Sequence, residues 1–422
     1  MFPTVTERQN QLRALFFTRF AGAFGLVTLL TLLPTYIEVL GAEGFVVGMF
    51  VTGLTFAQAV AVIPVSYLGD RYDKRTILLV GLGLAAAVYG AFTFVETSWG
   101  FVLVRGVQGI AATTAGLLGL ALVGQLARDS KRGNTIGKSN SWRFAADIGG
   151  TLSAGILYDN FGFSTVFGLL MVVTGLAFLA VLAWVEPDET TVEEFAFFDL
   201  AVNRRIATIT SFRAQYAVAV TLVRNWVPIF AGVAAAQGGL GFNAAVNGAT
   251  AVSLTIVSAR FMNMLSQPFT GRLSDRFGRA RFVFVGGLAY GIAALLVPFT
   301  PAIGSALALP ATFPYFGELS AAFLPLLAVS ALLGIADSIR EPASMALFAD
   351  EGTGEGVAAS FGIRDIVWRP GAVVAPLVGG WLMSSVGIDW VFFLGAGAAF
   401  SGVIAFVGIL SYDHGREGLA KW

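Results

Sequence analysis

Twelve stretches of this chain are apolar enough and long enough to cross a bilayer, whose hydrocarbon core asks for about 20 mostly apolar residues per helix. They run approximately over residues 14–40, 45–68, 77–95, 100–126, 139–158, 163–185, 206–232, 244–268, 281–301, 322–349, 358–384 and 389–411. Such a chain has little choice of fold. Lipid offers the backbone no hydrogen-bond partners, so each stretch must close its own bonds as a helix. Composition agrees, because 56% of the 422 residues are hydrophobic and 12% charged, about half the charged fraction of a soluble domain. The expected class is an all-α membrane protein, a monomer in the plasma membrane, with the lipid bilayer as its surroundings.

The basic residues set the orientation. Of 26 Lys and Arg, seventeen lie before the first stretch, in the connections that follow even-numbered stretches, or after the last one; the opposite connections hold none. By the positive-inside rule both termini are cytoplasmic, as an even number of crossings requires. The formal net charge is zero, which gives no bulk attraction to nucleic acid. Cys is absent, which excludes disulfides and thiolate chemistry. The single His, His414, lies in the polar segment SYDHGREGLAKW, so no metal site is expected, and no cofactor. Arg8 and Arg13 precede an apolar run over 12–40 that is too long for a signal core and carries no small-residue cleavage site, so it reads as a retained helix. GNTIGKS, residues 133–139, resembles a nucleotide-binding loop but has three residues between its glycines where that loop needs four, and no buried strand precedes it. An ATP-driven pump is disfavoured accordingly.

Nine basic residues fall inside the apolar stretches, and all are Arg: Arg19, Arg105, Arg143, Arg213, Arg224, Arg260, Arg340, Arg364 and Arg369. A guanidinium keeps its proton and satisfies several acceptors, whereas a buried ammonium tends to lose its charge. Arg19, Arg213 and Arg260 have the alternative of snorkelling to the cytoplasmic surface. The densest group is DSIREP, residues 337–342, in the tenth stretch. With the midpoint of that stretch near Ile335, Asp337 lies about 3 Å and Glu341 about 9 Å past the middle. Asp337, Arg340 and Glu341 share one helix face by their spacing, and a charge there facing lipid costs roughly 2.5 to 3.5 kcal/mol. Pro342 removes a backbone donor and favours a kink or local unwinding. The eleventh stretch carries Arg364, Asp365 and Arg369, so a charge network between the two stretches is expected, either functional or a static packing device. The fifth stretch repeats the pattern more sparsely with Arg143 and Asp147, four residues apart.

The chain also repeats itself. SYLGDRYDKR at 66–75 and GRLSDRFGRA at 271–280 align at an offset of 205, pairing Asp70 with Asp275 and Arg71 with Arg276. An offset of 194 pairs Arg19 with Arg213 and Pro34 with Pro228, and one of 226 pairs Trp142-Arg143 with Trp368-Arg369. Three units follow: a six-helix half over 1–185, a cytoplasmic linker over 186–205, and a second six-helix half over 206–422 with its tail.

On these residues the chain resembles the major facilitator superfamily over essentially its whole length. The loop signature GxxxDRxGRR is matched well by Gly271, Asp275, Arg276, Gly278 and Arg279, while the first copy has Ser66 and Asp73 where the family usually has Gly. A second signature, RxxQG, appears as Arg105, Gln108 and Gly109. The resemblance implies a secondary transporter of two pseudo-symmetric six-helix bundles working by alternating access. It implies a cytoplasmic gate at Asp70, Arg71, Asp275 and Arg276, and proton coupling through Arg105 with a carboxylate such as Asp147 or one on the tenth stretch. The glycine-rich exporter motif of the fifth helix is degenerate, with Gly149, Gly150 and Gly155 present but Thr151 in place of Pro. The partners expected are a small organic substrate and protons, not a chemical reaction. The excess of intramembrane Arg leans toward an anionic or carboxylate-bearing substrate; a drug exporter and an uncoupled uniporter or sensor are the alternatives.

Overall fold

The computed structural model describes residues 5–126, 132–188, 204–351 and 356–414. Helices fill nearly all of this length. The first six expected stretches become α1 (Val5–Thr31) with its short continuation α2 (Leu33–Val39), α3 (Phe45–Arg71), α4 (Lys74–Phe92), α5 (Ser98–Leu126) and the 53-residue α6 (Arg132–Trp184). The other six become α7 (Arg204–Gly232), α8 (Gly248–Phe277), α9 (Arg279–Leu296) with the short α10 (Thr300–Ala306), α11 (Phe323–Glu351), α12 (Gly356–Ser385) and α13 (Asp389–His414).

The interruptions have local causes. Pro34, in the first turn of α2, brings no backbone donor, and the chain bends at Leu32 while its neighbours still bond helically, Leu32 N–H to Thr28 O at 3.1 Å and Tyr36 N–H to Leu32 O at 3.0 Å. The fifth and sixth stretches appear as the single run α6, which turns at Gly162 (φ 72°, ψ −175°), a conformation open mainly to glycine. Pro298 and Pro301 mark a tighter turn between α9 and α10. By contrast α11 runs on through Pro342 as one helix, so the loss of one donor there does not end it.

Among the described residues, nine helices are long and apolar enough to cross a membrane. α6 counts once although it bends, and α7 and α8, richer in polar residues, are not among the nine.

The chain divides into two compact units, Met1–Ala42 with Met49–Phe195, and Glu43–Gly48 with Ala196–Trp422. In the first, α1 packs along α6, and α4 against α5 and α6. One end of this unit is filled by a nest of rings, where Tyr36 meets Phe101 at 4.6 Å and Phe163 at 4.2 Å between ring centres, and Phe92 stacks on Phe167 at 5.4 Å. Aliphatic residues fill the other, including Leu15, Leu78, Leu82, Leu118 and Val181. In the second unit α11 lies against α8 and α9, and α7 against α12 and α13. Between α10 and α11 the chain forms a short antiparallel ribbon, β1 (Thr312–Phe313) and β2 (Gly317–Glu318), with Thr312 opposite Glu318. Asn247 ties it down by donating from Nδ2 to the Tyr315 carbonyl at 2.9 Å.

Small residues let the backbones of the second unit touch. A Cβ added to Gly334 of α11 would lie 2.0 Å from the Ala259 carbonyl oxygen of α8, and the Gly334 carbonyl itself accepts from Asn263 Nδ2 at 3.2 Å. Gly397 of α13 has open space around the same added atom. The two helical glycines should therefore respond to alanine in opposite directions. Gly334→Ala lowers the thermal unfolding midpoint of the detergent-solubilised protein by forcing α8 and α11 apart, whereas Gly397→Ala leaves it unchanged or raises it, gaining up to about 1 kcal/mol of helix propensity.

Candidate functional site

The charged residues of DSIREP are held together within one helix. Arg340 is 2% exposed and directs a single nitrogen, Nη2, to two acids: Asp337 Oδ1 at 2.7 Å and Glu341 Oε2 at 2.7 Å. Its guanidinium lies on the ring of Tyr216 from α7, 3.7 Å from the ring centre, with Phe212 at 5.9 Å. The acids are less enclosed, their side chains 32% and 24% exposed. α9 closes the site from behind, because Gly286 brings its backbone so near Arg340 that an added Cβ would lie 2.7 Å from the Arg340 amide. Three charges of DSIREP thus sum to one negative, around a cation fixed by an aromatic face.

Of the network expected between the tenth and eleventh stretches, the structure brings together Asp337, Arg340 and Glu341. Arg369 is half-buried on α12 and makes no ion pair with them among the described residues. Arg364 and Asp365 lie outside the described side chains. Tyr216, not among the residues expected from the sequence, is the one that most defines the site. It lies three positions after Arg213, whose place in the repeat was the available signal.

Arg105 is fully enclosed in the first unit, at 1% exposure. Its Nε donates to the Phe50 carbonyl of α3 at 3.2 Å and its Nη1 to Gln108 Oε1 at 2.8 Å. Both acceptors are neutral, and among the described residues no carboxylate lies within ion-pair distance. Gly109 lets α5 approach α3, since an added Cβ would lie 2.5 Å from the Leu54 carbonyl. RxxQG therefore joins α5 to α3 through the guanidinium–carbonyl bond and the glycine contact, with Gln108 of the same helix steadying the guanidinium. Asp147 lies with Arg143, Nη1 to Oδ2 at 3.7 Å, and is 7% exposed.

The repeat reappears as contacts. Arg213 of α7 lies over the Trp368 ring of α12 at 4.7 Å. In the first unit the corresponding helices meet where Phe20, next to Arg19, packs edge-on to Trp142 at 6.2 Å.

At the two signature loops the halves diverge. The Asp70 side chain lies outside those described; Arg71 is exposed, over the Tyr67 ring at 5.5 Å. In the second copy Asp275 pairs with Arg279 at 3.1 Å, and Arg279 reaches the Ala346 carbonyl of α11 at 3.4 Å; Arg276 is exposed. The equivalent of Arg279 is Lys74, which is buried and pairs instead with Asp188, just beyond α6, at 2.7 Å. The departure from the signature explains the difference. Asp73 stands where the second copy has Gly278, and it caps α4, accepting from the amides of Arg75 at 3.0 Å and Thr76 at 3.1 Å, from the Thr76 hydroxyl at 2.5 Å, and from the Asp188 amide at 2.8 Å. Partial burial works to raise the Asp73 carboxyl, but these four hydrogen bonds outweigh it and hold the group below its ordinary range.

Because the native carboxyl is the stronger acid, its contribution is present above the ordinary Asp range and fades as pH falls through the lowered native value. Asp73→Ala should cost about 1 kcal/mol, the usual worth of such a cap. The gap in unfolding midpoint between wild type and variant should be full near neutrality and shrink only in strong acid.

The model of the Major Facilitator Superfamily matches residues 15–309 and 245–420. With the helical units and signature loops described above, this makes the chain a multi-pass integral membrane protein of the transporter class. It belongs to the major facilitator superfamily. Multidrug resistance protein MdtG of Salmonella typhi is 25% identical over 412 residues, 94% of this chain and 92% of MdtG. The inner membrane transport protein YajR of Escherichia coli is 27% identical over 171 residues, and an uncharacterised MFS-type transporter of Methanocaldococcus jannaschii 28% identical over 153 residues. Those two matches span 40% and 36% of this chain, and 36% and 39% of the relatives' own length. The fold is shared with solved structures of the nucleoside transporter NupG, in a point-mutant form, with TM-score 0.73 and 14% identity over 94% of this chain and 98% of that one, and of the POT family transporter PepTSo, with TM-score 0.72 and 13% identity over 96% and 98%.

Proposed function

We infer that this chain is a proton-coupled secondary transporter of the plasma membrane that moves a small organic molecule by alternating access. In this reading it has twelve crossings in two six-helix halves, over 1–185 and 206–422, with both termini and the 186–205 linker cytoplasmic. The observation that carries the coupling is the sharing of one Arg340 nitrogen by Asp337 and Glu341 at 2.7 Å each. Two carboxylates converge on one cation, so adding a proton to either neutralises the trio without breaking the pairing of the other. The partial exposure of both acids gives that proton a route, while Tyr216 and Gly286 hold Arg340 in place through the cycle. Asp147, paired with Arg143 at 3.7 Å in the first unit, shares that cation with no second acid among the described residues and suits the coupling less well in this reading. Arg105, satisfied by neutral acceptors, serves in this reading to fasten α5 to α3 rather than to carry the proton.

The test is transport in proteoliposomes, with a substrate chosen by thermal-shift screening of metabolites and drugs. Wild type accumulates it when a pH gradient is imposed. Glu341→Gln and Asp337→Asn together lose that accumulation at least about ten-fold yet retain exchange of labelled for unlabelled substrate, the signature of uncoupling. Accumulation that persists in the double variant would make the cluster a packing device.

Drug export is a second reading, and the near full-length similarity to a multidrug resistance protein favours it. It predicts that the screen returns several structurally unrelated drugs.

A further inference from the structure

The first unit carries a charged group that the coupling does not use. Arg143 and Asp147 of α6 form their pair near α1, and Arg19 of α1 is within electrostatic reach of both. Among the described residues, two guanidinium groups thus lie within reach of one carboxylate, leaving one positive charge. Arg19 Nε is buried and donates to no acceptor among the described residues. The Arg143 side chain is 38% exposed and the Asp147 side chain 10%, so the positive end of the group is the accessible one. Its flank is aromatic: Phe20 packs edge-on to Trp142 at 6.2 Å and against Phe24 at 5.5 Å, and Trp142 is 42% exposed. The second unit has kept the frame without the acid, since at the offset that pairs Trp142-Arg143 with Trp368-Arg369 the counterpart of Asp147 is Val373.

We propose that Arg19 and Arg143 form the recognition site for the anionic group of the transported molecule, an organic monoanion whose apolar or aromatic body rests on Phe20 and Trp142. This deepens the transporter reading and rests on it. The chemistry follows from the count of charges. One carboxylate already offsets one guanidinium, and a single incoming carboxylate completes the neutralisation while accepting from a buried donor, the charge-assisted bond that an apolar setting strengthens most. A dianion overfills the site, and a neutral isostere leaves the residual charge unmatched. Asp147 then sets the strength of capture, weakening it enough for release.

The probes are 2-naphthoate and the uncharged 2-naphthamide, which share one ring system. Their affinities for the purified full chain are read by quenching of tryptophan fluorescence. Wild type should prefer the carboxylate by at least about ten-fold. Arg19→Gln and Arg143→Gln should each bring naphthoate down to the affinity of the amide, while Arg143→Lys keeps part of the preference and Asp147→Asn tightens naphthoate alone. Equal affinities in wild type, or a preference that survives in the Arg19→Gln/Arg143→Gln double variant with a normal unfolding midpoint, would overturn the proposal. Should either glutamine variant not fold, Arg143→Lys against Asp147→Asn still decides it, since the proposal demands opposite shifts. Phosphatidylglycerol in the micelle that displaces naphthoate at equal or lower concentration would assign the arginine pair to lipid headgroups instead. Proton-driven transport that proceeds normally while the carboxylate preference is missing defeats this inference alone; absence of any transport in proteoliposomes defeats the transporter reading and leaves the binding result standing.

Discussion

A guanidinium that keeps its proton calls for acceptors wherever helices enclose it. This constraint organises both units. In the second, Arg340 is met by two carboxylates and a tyrosine ring; in the first, Arg105 is met by a carbonyl and an amide. The same residue type yields opposite results. Acceptors that are themselves ionisable make the cluster on which the proposed proton coupling rests. Neutral acceptors make a rivet, and the helices on either side are drawn together by a glycine at the point of contact. Breaking an enclosed charge pair from one side alone commonly costs about 3–5 kcal/mol, a cost that applies to Arg340 and its two acids and not to Arg105.

The fold was legible because bilayer thickness sets a length and lipid forbids open backbone. Each of the twelve apolar stretches corresponds to helix in the structure. The ribbon at residues 312–318 was not legible. Its strands are two residues each, too short for an alternating pattern, and it is held by an amide from Asn247 that is distant in sequence. Pro342 illustrates a different limit. Local chemistry predicts disruption, but α11 is supported along its length by α8 and α9, and that packing outweighs one absent donor.

The candidate site was legible in its ionisable members and not in its aromatic ones. Spacing alone places Asp337, Arg340 and Glu341 on one face, since three or four residues make nearly a full turn. In a chain crowded with rings, only its place three positions after Arg213 sets Tyr216 apart from its neighbours. Its role depends on α7 lying across α11 at the height of Arg340, which no local pattern encodes. Arg105 shows the converse: its motif, Gln108 included, was conspicuous, yet nothing in the sequence marks the Phe50 carbonyl as the guanidinium's other acceptor.

The replacement of glycine by Asp73 at the first signature loop has bound that loop to the stretch just beyond α6, through the Asp188 amide and the Lys74–Asp188 pair. The second loop retains Gly278 at φ 101°, a conformation that an aspartate would occupy only under strain. Two segments that align as copies have therefore ceased to be exchangeable. One anchors the chain leaving α6, and the other is a glycine turn followed by an arginine that reaches a neighbouring helix. A repeated motif can keep its spacing while its two copies take different contacts, and here that difference turns on a single residue.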